Sequence, residues 1–233
     1  MAAVLPLVLV PGLLCSARVY APQVSALWPF GQVTVADHRH DGTMAAIAAR
    51  ILAAAPPLFA LAGHSMGGYI AFAMLREAPE RIAKLALLDT SARPDTDEQS
   101  AAREKSIATA QAGKLDDVVE TLTPRFLHRN RHNDEALKRV VREMAEDTGA
   151  EAFVRQQKAI LSRPDSRPLL ATVRCPTLVL VGEGDELTPP ALSKEICVGI
   201  SGARLVVVPD CGHLSTIEKP DAVNAALAEW LGT

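Results

Sequence analysis

Leu58-Phe59-Ala60-Leu61-Ala62-Gly63-His64-Ser65-Met66-Gly67-Gly68-Tyr69-Ile70 reads as an apolar run, a serine flanked by glycines, and the start of a second apolar stretch. The first run has no polar alternation, so it predicts a strand covered on both faces rather than one with a wet side. Residues 66–78 read as a helix, closed by Pro79. The serine therefore falls on a strand–turn–helix junction, in a Gly63-x-Ser65-x-Gly67 pentapeptide. Such a turn is sharp and holds the serine in a strained backbone conformation, which small neighbours (Gly63, Gly67, Gly68) make sterically possible. The helix start behind it would offer backbone N–H groups to a developing negative charge. Read on its own, the pentapeptide is a weak signal. Its context makes Ser65 a candidate nucleophile.

Working outward, five further short apolar runs occupy residues 4–10, 33–36, 85–88, 177–181 and 204–208. Helix-like stretches at residues 16–27, 43–54, 66–78, 190–198 and 220–231 lie between or after them. Strands alternating with helices predict right-handed βαβ units and one parallel sheet. Residues 91–173 break this rhythm. They contain no convincing strand and more than half of the charged residues, with mixed signs. Residues 116–122, 134–145 and 151–161 look helical, with Val118, Val119 and Leu122, or Leu137, Val140, Val141 and Met144, at helix spacing. The division expected is a core of residues 1–90 and 174–233 carrying a helical lid at 91–173.

The bulk numbers remove other classes. A net charge of −3 and no basic stripe argue against nucleic acid, and 4% aromatic residues leave little surface for stacking bases or sugars. Cys15, Cys175, Cys197 and Cys211 fit neither a zinc site nor a disulfide framework, so free thiols in a reducing cytoplasm are expected. The apolar N-terminal residues 2–14 lack a preceding Lys or Arg and an A-x-A-like cleavage site, and read as a strand ending at Pro11-Gly12. No apolar run reaches the length of a membrane span. Nothing specifies an oligomeric state.

A serine needs a base, and the base needs a partner to fix its tautomer. Cys211-Gly212-His213 follows the last strand and Gly182-Glu183-Gly184-Asp185 the fifth, giving the chain order Ser, Asp, His. His64 sits in the elbow but precedes the nucleophile and should point away from it. His38, His40, His128 and His132 lie in polar stretches and are expected at the surface. Asp89, ending the fourth strand, competes for the acid's place, and Glu218 is expected to be structural near the final helix start.

Gly182-x-x-Asp185-x-x-x-Pro189 and Gly212-His213-x-x-x-x-Glu218-x-Pro220, taken with the serine pentapeptide, resemble the acid, histidine and nucleophile loops of the α/β-hydrolase superfamily. The resemblance covers nearly all of the chain outside residues 91–173. It implies an α/β-hydrolase fold with a trimmed, six-stranded, all-parallel sheet in the order 2-1-3-4-5-6. The two antiparallel strands that often open the family's sheet should be absent, since only residues 1–3 precede the first run. It implies Ser65 as nucleophile, His213 as base and Asp185 as orienting acid. The oxyanion hole would take the N–H groups of Met66 and Leu13. Pro11 stands where the family commonly has a histidine, which removes a side-chain hydrogen bond that steadies this loop, while Gly12 keeps the close backbone approach.

The expected chemistry is hydrolysis of small-molecule carboxylic esters through an acyl-enzyme, requiring no metal and no organic cofactor. Leu14, Phe126, Phe153, Leu187 and Leu214 are the candidate substrate contacts. The same three residues could also serve thioester, lactone or C–C bond hydrolysis or a lyase reaction. A ligand-binding receptor that keeps the triad is the reading from another class.

Overall fold

The computed structural model describes residues 5–232. In chain order the strands are β1 (Leu7–Val10), β2 (Val33–Val35), β3 (Phe59–His64), β4 (Ile82–Leu88), β5 (Thr177–Gly182) and β6 (Arg204–Val208). The helices are α1 (Ala21–Leu27), α2 (Met44–Ala54), α3 (Met66–Glu77), α4 (Asp97–Gln111), α5 (Leu115–Phe126), α6 (Glu135–Thr148), α7 (Ala150–Leu161), α8 (Arg167–Leu170), α9 (Pro190–Gly199), α10 (Ser215–Glu218) and α11 (Pro220–Gly232). All six strands pair in parallel, in the order β2-β1-β3-β4-β5-β6, as the sequence predicts. Val4, the first residue of the run expected at 4–10, and the absence of strands expected before it both fall outside the described residues.

Strand side chains alternate between two apolar cores. Leu7, Leu9, Ala60, Ala62, Leu178 and Leu180 face one layer with Leu27, Leu227 and Trp230. Val8, Val10, Leu61, Leu85, Leu87 and Val179 face the other, with Ile47, Ile51, Ile70 and Met74. Complete burial of a Leu, Ile or Val side chain stabilises by about 1.5–3 kcal/mol, so the period-two pattern fixes the register of each central strand. Two runs behave differently. β2 and β6 are edge strands, half-exposed or exposed at every residue except the buried Val208, because each has a neighbour on one side only.

Between β4 and β5 the described residues contain helices alone. Here α5, α6 and α7 match the predicted stretches and run slightly longer, whereas α4 has no counterpart in the sequence reading. Only Ala110 of α4 is buried, so there is no apolar stripe to detect. It is begun instead by a capping box, in which Thr96 accepts from the Gln99 N–H and Gln99 accepts from the Thr96 N–H. A half-buried ion cluster holds it inward: Asp95 meets Arg103 at 2.6 Å and Arg163 at 2.8 Å. No helix among the described residues is long and apolar enough to cross a membrane.

Candidate active site

The carboxyl ends of the strands gather the chemistry, as parallel sheets do at their ligand-binding edge. Ser65 follows β3, Asp89 follows β4, Asp185 lies beyond β5 and His213 beyond β6. Ser65 has φ +53° and ψ −115°, a conformation L residues rarely adopt. Its N–H donates to Leu88 O at 2.9 Å, which pins the turn to the neighbouring strand. Gly67 allows the close approach that completes the turn. A Cβ there would run into the Val10 carbonyl oxygen.

His213 Nε2 stands 2.8 Å from Ser65 Oγ, and His213 Nδ1 stands 2.8 Å from Asp185 Oδ2. Asp185 Oδ1 accepts from the N–H groups of Leu187 and Thr188, and Oδ2 accepts from the Thr188 hydroxyl. Burial by itself would raise the Asp185 carboxyl, but the adjacent His213 and these donors hold it below the usual carboxylate value. The same burial opposes charge on His213, and Asp185 outweighs it, followed by Asp89 and Glu218, so His213 lies above the ordinary histidine value.

The His213 backbone is held from three sides. Its N–H and that of Leu214 donate to Phe126 O, and its carbonyl accepts from His64 Nε2 at 2.8 Å. Glu218 accepts from the Gly212 N–H at 3.0 Å and from the His128 N–H at 2.8 Å, which ties the histidine loop to the end of α5. Glu218 is therefore a buried structural acceptor, as expected. His64 does not touch Ser65 Oγ. Desolvation first, then the nearby His213, brings its ring down to about 3, so it stays neutral.

Asp89 does not reach His213 by hydrogen bond. Its Oδ1 accepts from the Gly182 N–H at 2.9 Å and its Oδ2 from the Ser215 hydroxyl. Burial, then the negative charge of Asp185, pushes its carboxyl well above the ordinary range. Two histidine expectations are corrected. His38 and His128 are buried at 2% and 7% exposure, not at the surface, because Gln156 of α7 packs on His38 and the loops at Gly184 and Gly212 pack on His128. His40 and His132 are exposed.

Of the residues expected at an oxyanion hole, Met66 is the first residue of α3, where a helix leaves its N–H groups without internal partners. Leu13 lies in the loop after β1, which packs on Ser65 through Gly12. A Cβ on Gly12 would stand 3.2 Å from Ser65 Cβ. Cys15 ends this loop as a free thiol, and burial pushes it up to about 12, too high for a competing nucleophile. Among the expected substrate contacts, Phe126 stacks on the His213 ring at 6.2 Å between centroids and Leu187 is half-buried. Leu14 keeps 3% exposure, whereas Phe153 and Leu214 keep 0% and 1% and are sealed into the core. Sequence reasoning missed Thr188 and Gln156 and placed His38 at the surface, although the polar groups of all three are buried in and behind this site; Thr188 falls on an unspecified position of the acid-loop motif and Gln156 on a polar position of a predicted helix, so neither stood out.

Comparison with known proteins fits this geometry. RutD of Azorhizobium caulinodans, which carries the name of a carbamate hydrolase, is 28% identical over 97% of this chain and 91% of its own. A pimeloyl-[acyl-carrier protein] methyl ester esterase of Neisseria meningitidis is 25% identical over 90% of this chain and 85% of its own. Among solved structures, a thermophilic esterase from Thermogutta terrifontis superposes with a TM-score of 0.89 at 31% identity, covering 98% of this chain and 89% of its own. The enol-lactonase of Burkholderia xenovorans LB400 gives 0.89 at 25% identity, over 100% and 93%. The sequence profile of the alpha/beta hydrolase family matches residues 7–226. With a profile match over that span and a fold shared almost end to end with these enzymes, the chain belongs to the alpha/beta hydrolase family.

Proposed function

We propose that this chain is a serine hydrolase that cleaves small carboxylic esters through an acyl-enzyme on Ser65. The observation that carries the reading is the unbroken hydrogen-bonded line Ser65 Oγ–His213–Asp185, with both contacts at 2.8 Å. His213 Nε2 takes the serine proton as Oγ attacks the ester carbonyl, and Asp185 holds the Nδ1–H tautomer and stabilises the imidazolium that forms. The N–H groups of Met66 and Leu13 stabilise the oxyanion. His213 then protonates the departing alcohol, and water, activated by the same nitrogen, releases the acid. Residues 91–173 act as the cap over the core of residues 1–90 and 174–233, reaching the site through Phe126. Leu13, Leu187 and the exposed margins of Leu14 and Phe126 supply apolar contacts to the acyl or alcohol group.

The esterases among the relatives support an acyclic ester as substrate. The likeness to an enol-lactonase favours a second reading, in which the bond is that of a lactone, opened by the same steps. Ser65→Ala should lower kcat on p-nitrophenyl acetate by about 10⁴-fold or more and abolish labelling by a fluorophosphonate. Wild-type turnover in that variant would overturn the assignment. A panel of acyclic esters, thioesters and lactones then separates the two readings by relative kcat/KM. Labelling without turnover on any member would point to a ligand-binding role.

A further inference from the structure

The loop after β1 carries a strain that its own sequence does not explain. Leu14 has φ +57°, a left-handed conformation that an L residue adopts at an energetic cost and keeps only where the surroundings hold it. Pro11 offers this loop no N–H and no polar side chain. Two side chains from distant parts of the chain hold it instead. His38, three residues beyond β2, places Nε2 2.8 Å from Gly12 O, and Gln156 of α7 accepts from the Leu14 N–H at 3.2 Å. His38 is 2% exposed and Gln156 is fully buried. Burial lowers the His38 ring to about 4, so at neutral pH it is uncharged and can present an Nε2–H donor to that carbonyl.

The two contacts have a shared consequence. Gly12 C=O and Leu13 N–H belong to one planar trans peptide unit, pointing opposite ways. Holding Gly12 O on the His38 side therefore aims the Leu13 N–H away from His38. The next peptide plane contains the Leu14 N–H, which Gln156 pins. With both planes fixed, the φ and ψ of Leu13 are set. Cys15 N–H and Tyr20 Oη–H add contacts to Gly12 O and Val10 O, each at 3.2 Å. Gln156 Nε2 also lies 3.1 Å from His38 Nε2; with that nitrogen's proton given to Gly12 O, this is a packing contact between the two clamps and not a hydrogen bond.

We propose that His38 and Gln156 are positioning residues for the oxyanion, fixing the peptide planes on either side of Leu13 so that its N–H points to the space beside Ser65. This rests on the serine-hydrolase reading above. It also makes α7 part of the oxyanion hole: the helical segment must be docked for that donor to be aimed. Its docking is supported by Arg155, which donates to Arg39 O at 2.9 Å, and by Arg39, which donates to Asp147 O at 2.8 Å.

The test measures kcat and KM for p-nitrophenyl acetate, and the affinity of an aryl trifluoromethyl ketone, which forms a tetrahedral oxyanion adduct with the serine. Gln156→Leu and His38→Leu should each lower kcat about 10–100-fold with KM changed less than about threefold, since a misaimed donor loses part of the 10²–10³ that its removal costs. Ketone affinity should weaken by the same factor as kcat/KM. His38→Gln, which keeps an N–H donor at the place of Nε2, should recover most of the loss. Folded variants with kcat within about twofold of wild type, or with kcat lost and ketone affinity intact, would overturn the proposal. If either leucine variant fails to fold, the comparison of His38→Gln with wild type still decides: tenfold losses in kcat and ketone affinity together, at an unchanged melting temperature, would count against a donor role for this side chain. A wild-type protein that neither hydrolyses esters nor binds the ketone would take down the serine-hydrolase reading, and this one with it.

Discussion

Residues 63–68 and residues 10–15 meet where Gly67 packs against the Val10 carbonyl, and each would give one N–H to the oxyanion. The first turn is set by its own sequence: a strand, a glycine on each side of Ser65, and a helix that begins at Met66. The second has Pro11 near its start and a single turn closed by the Cys15 N–H on Gly12 O. It takes its shape from His38, 26 residues from its partner Gly12, and from Gln156, 142 residues from Leu14. Equivalent chemical roles can thus rest on local backbone geometry in one loop and on long-range hydrogen bonds in the other. The first can be read from a pentapeptide; the second exists only after folding.

The largest effect sets the scale for both loops. Asp185→Asn, which leaves both alone, should lower kcat about 10³–10⁴-fold by favouring the wrong His213 tautomer. If the loss were below tenfold, the acid would have to lie elsewhere, and Asp89→Asn would then show the larger defect. Gly67→Ala attacks the junction of the two loops, since its methyl group meets Val10 O. It should reduce kcat by about 100-fold, as small displacements of reacting groups do. An active variant with an unchanged melting temperature would mean that the loops do not depend on that contact.

Next is the pH dependence of kcat/KM. His213 must be neutral to act as base, and its pKa is raised, so activity should fall as pH drops through a midpoint above 6.5. His64 and His38 are lowered to about 3 and about 4 and stay neutral across that window. The midpoint should therefore be the same in wild type and Gln156→Leu, although the plateau differs. A midpoint that moves by a full unit in Gln156→Leu would tie the second loop to the ionisation of His213 rather than to the oxyanion. The smallest effect is expected of Asp89→Asn. Its oxygens serve Gly182 and Ser215, so kcat/KM should change by less than about fivefold, with a lower melting temperature as the main cost. A loss approaching that of Asp185→Asn would reverse the assignment of the acid.

The sheet was legible because its signals are local and repeated. Continuous apolar runs marked all six strands, four of them within two residues at both ends, and glycine-bearing loops marked where Ser65, Asp185 and His213 leave the sheet. Errors arose where a tertiary contact outweighed local polarity. His38 and His128 sit in polar stretches, yet α7 and the histidine loop cover them. Helix α4 is polar almost all round and is held by a cap and a half-buried ion cluster rather than an apolar face. Phe153 and Leu214, expected as substrate contacts from their hydrophobicity, are 0% and 1% exposed, which the sequence does not reveal.

By itself the sequence determined the parallel sheet and the three loops that follow its strands, because strand patterning and backbone turns are written in neighbouring residues; the strand order came from the family resemblance those loops carry. Tertiary structure alone showed which donors the Asp89 carboxylate takes and what supports the loop at Leu13. Those depend on which buried donors reach a given carboxylate or carbonyl, and hydrogen bonds spanning 26 to 142 residues leave no periodicity in the chain to read.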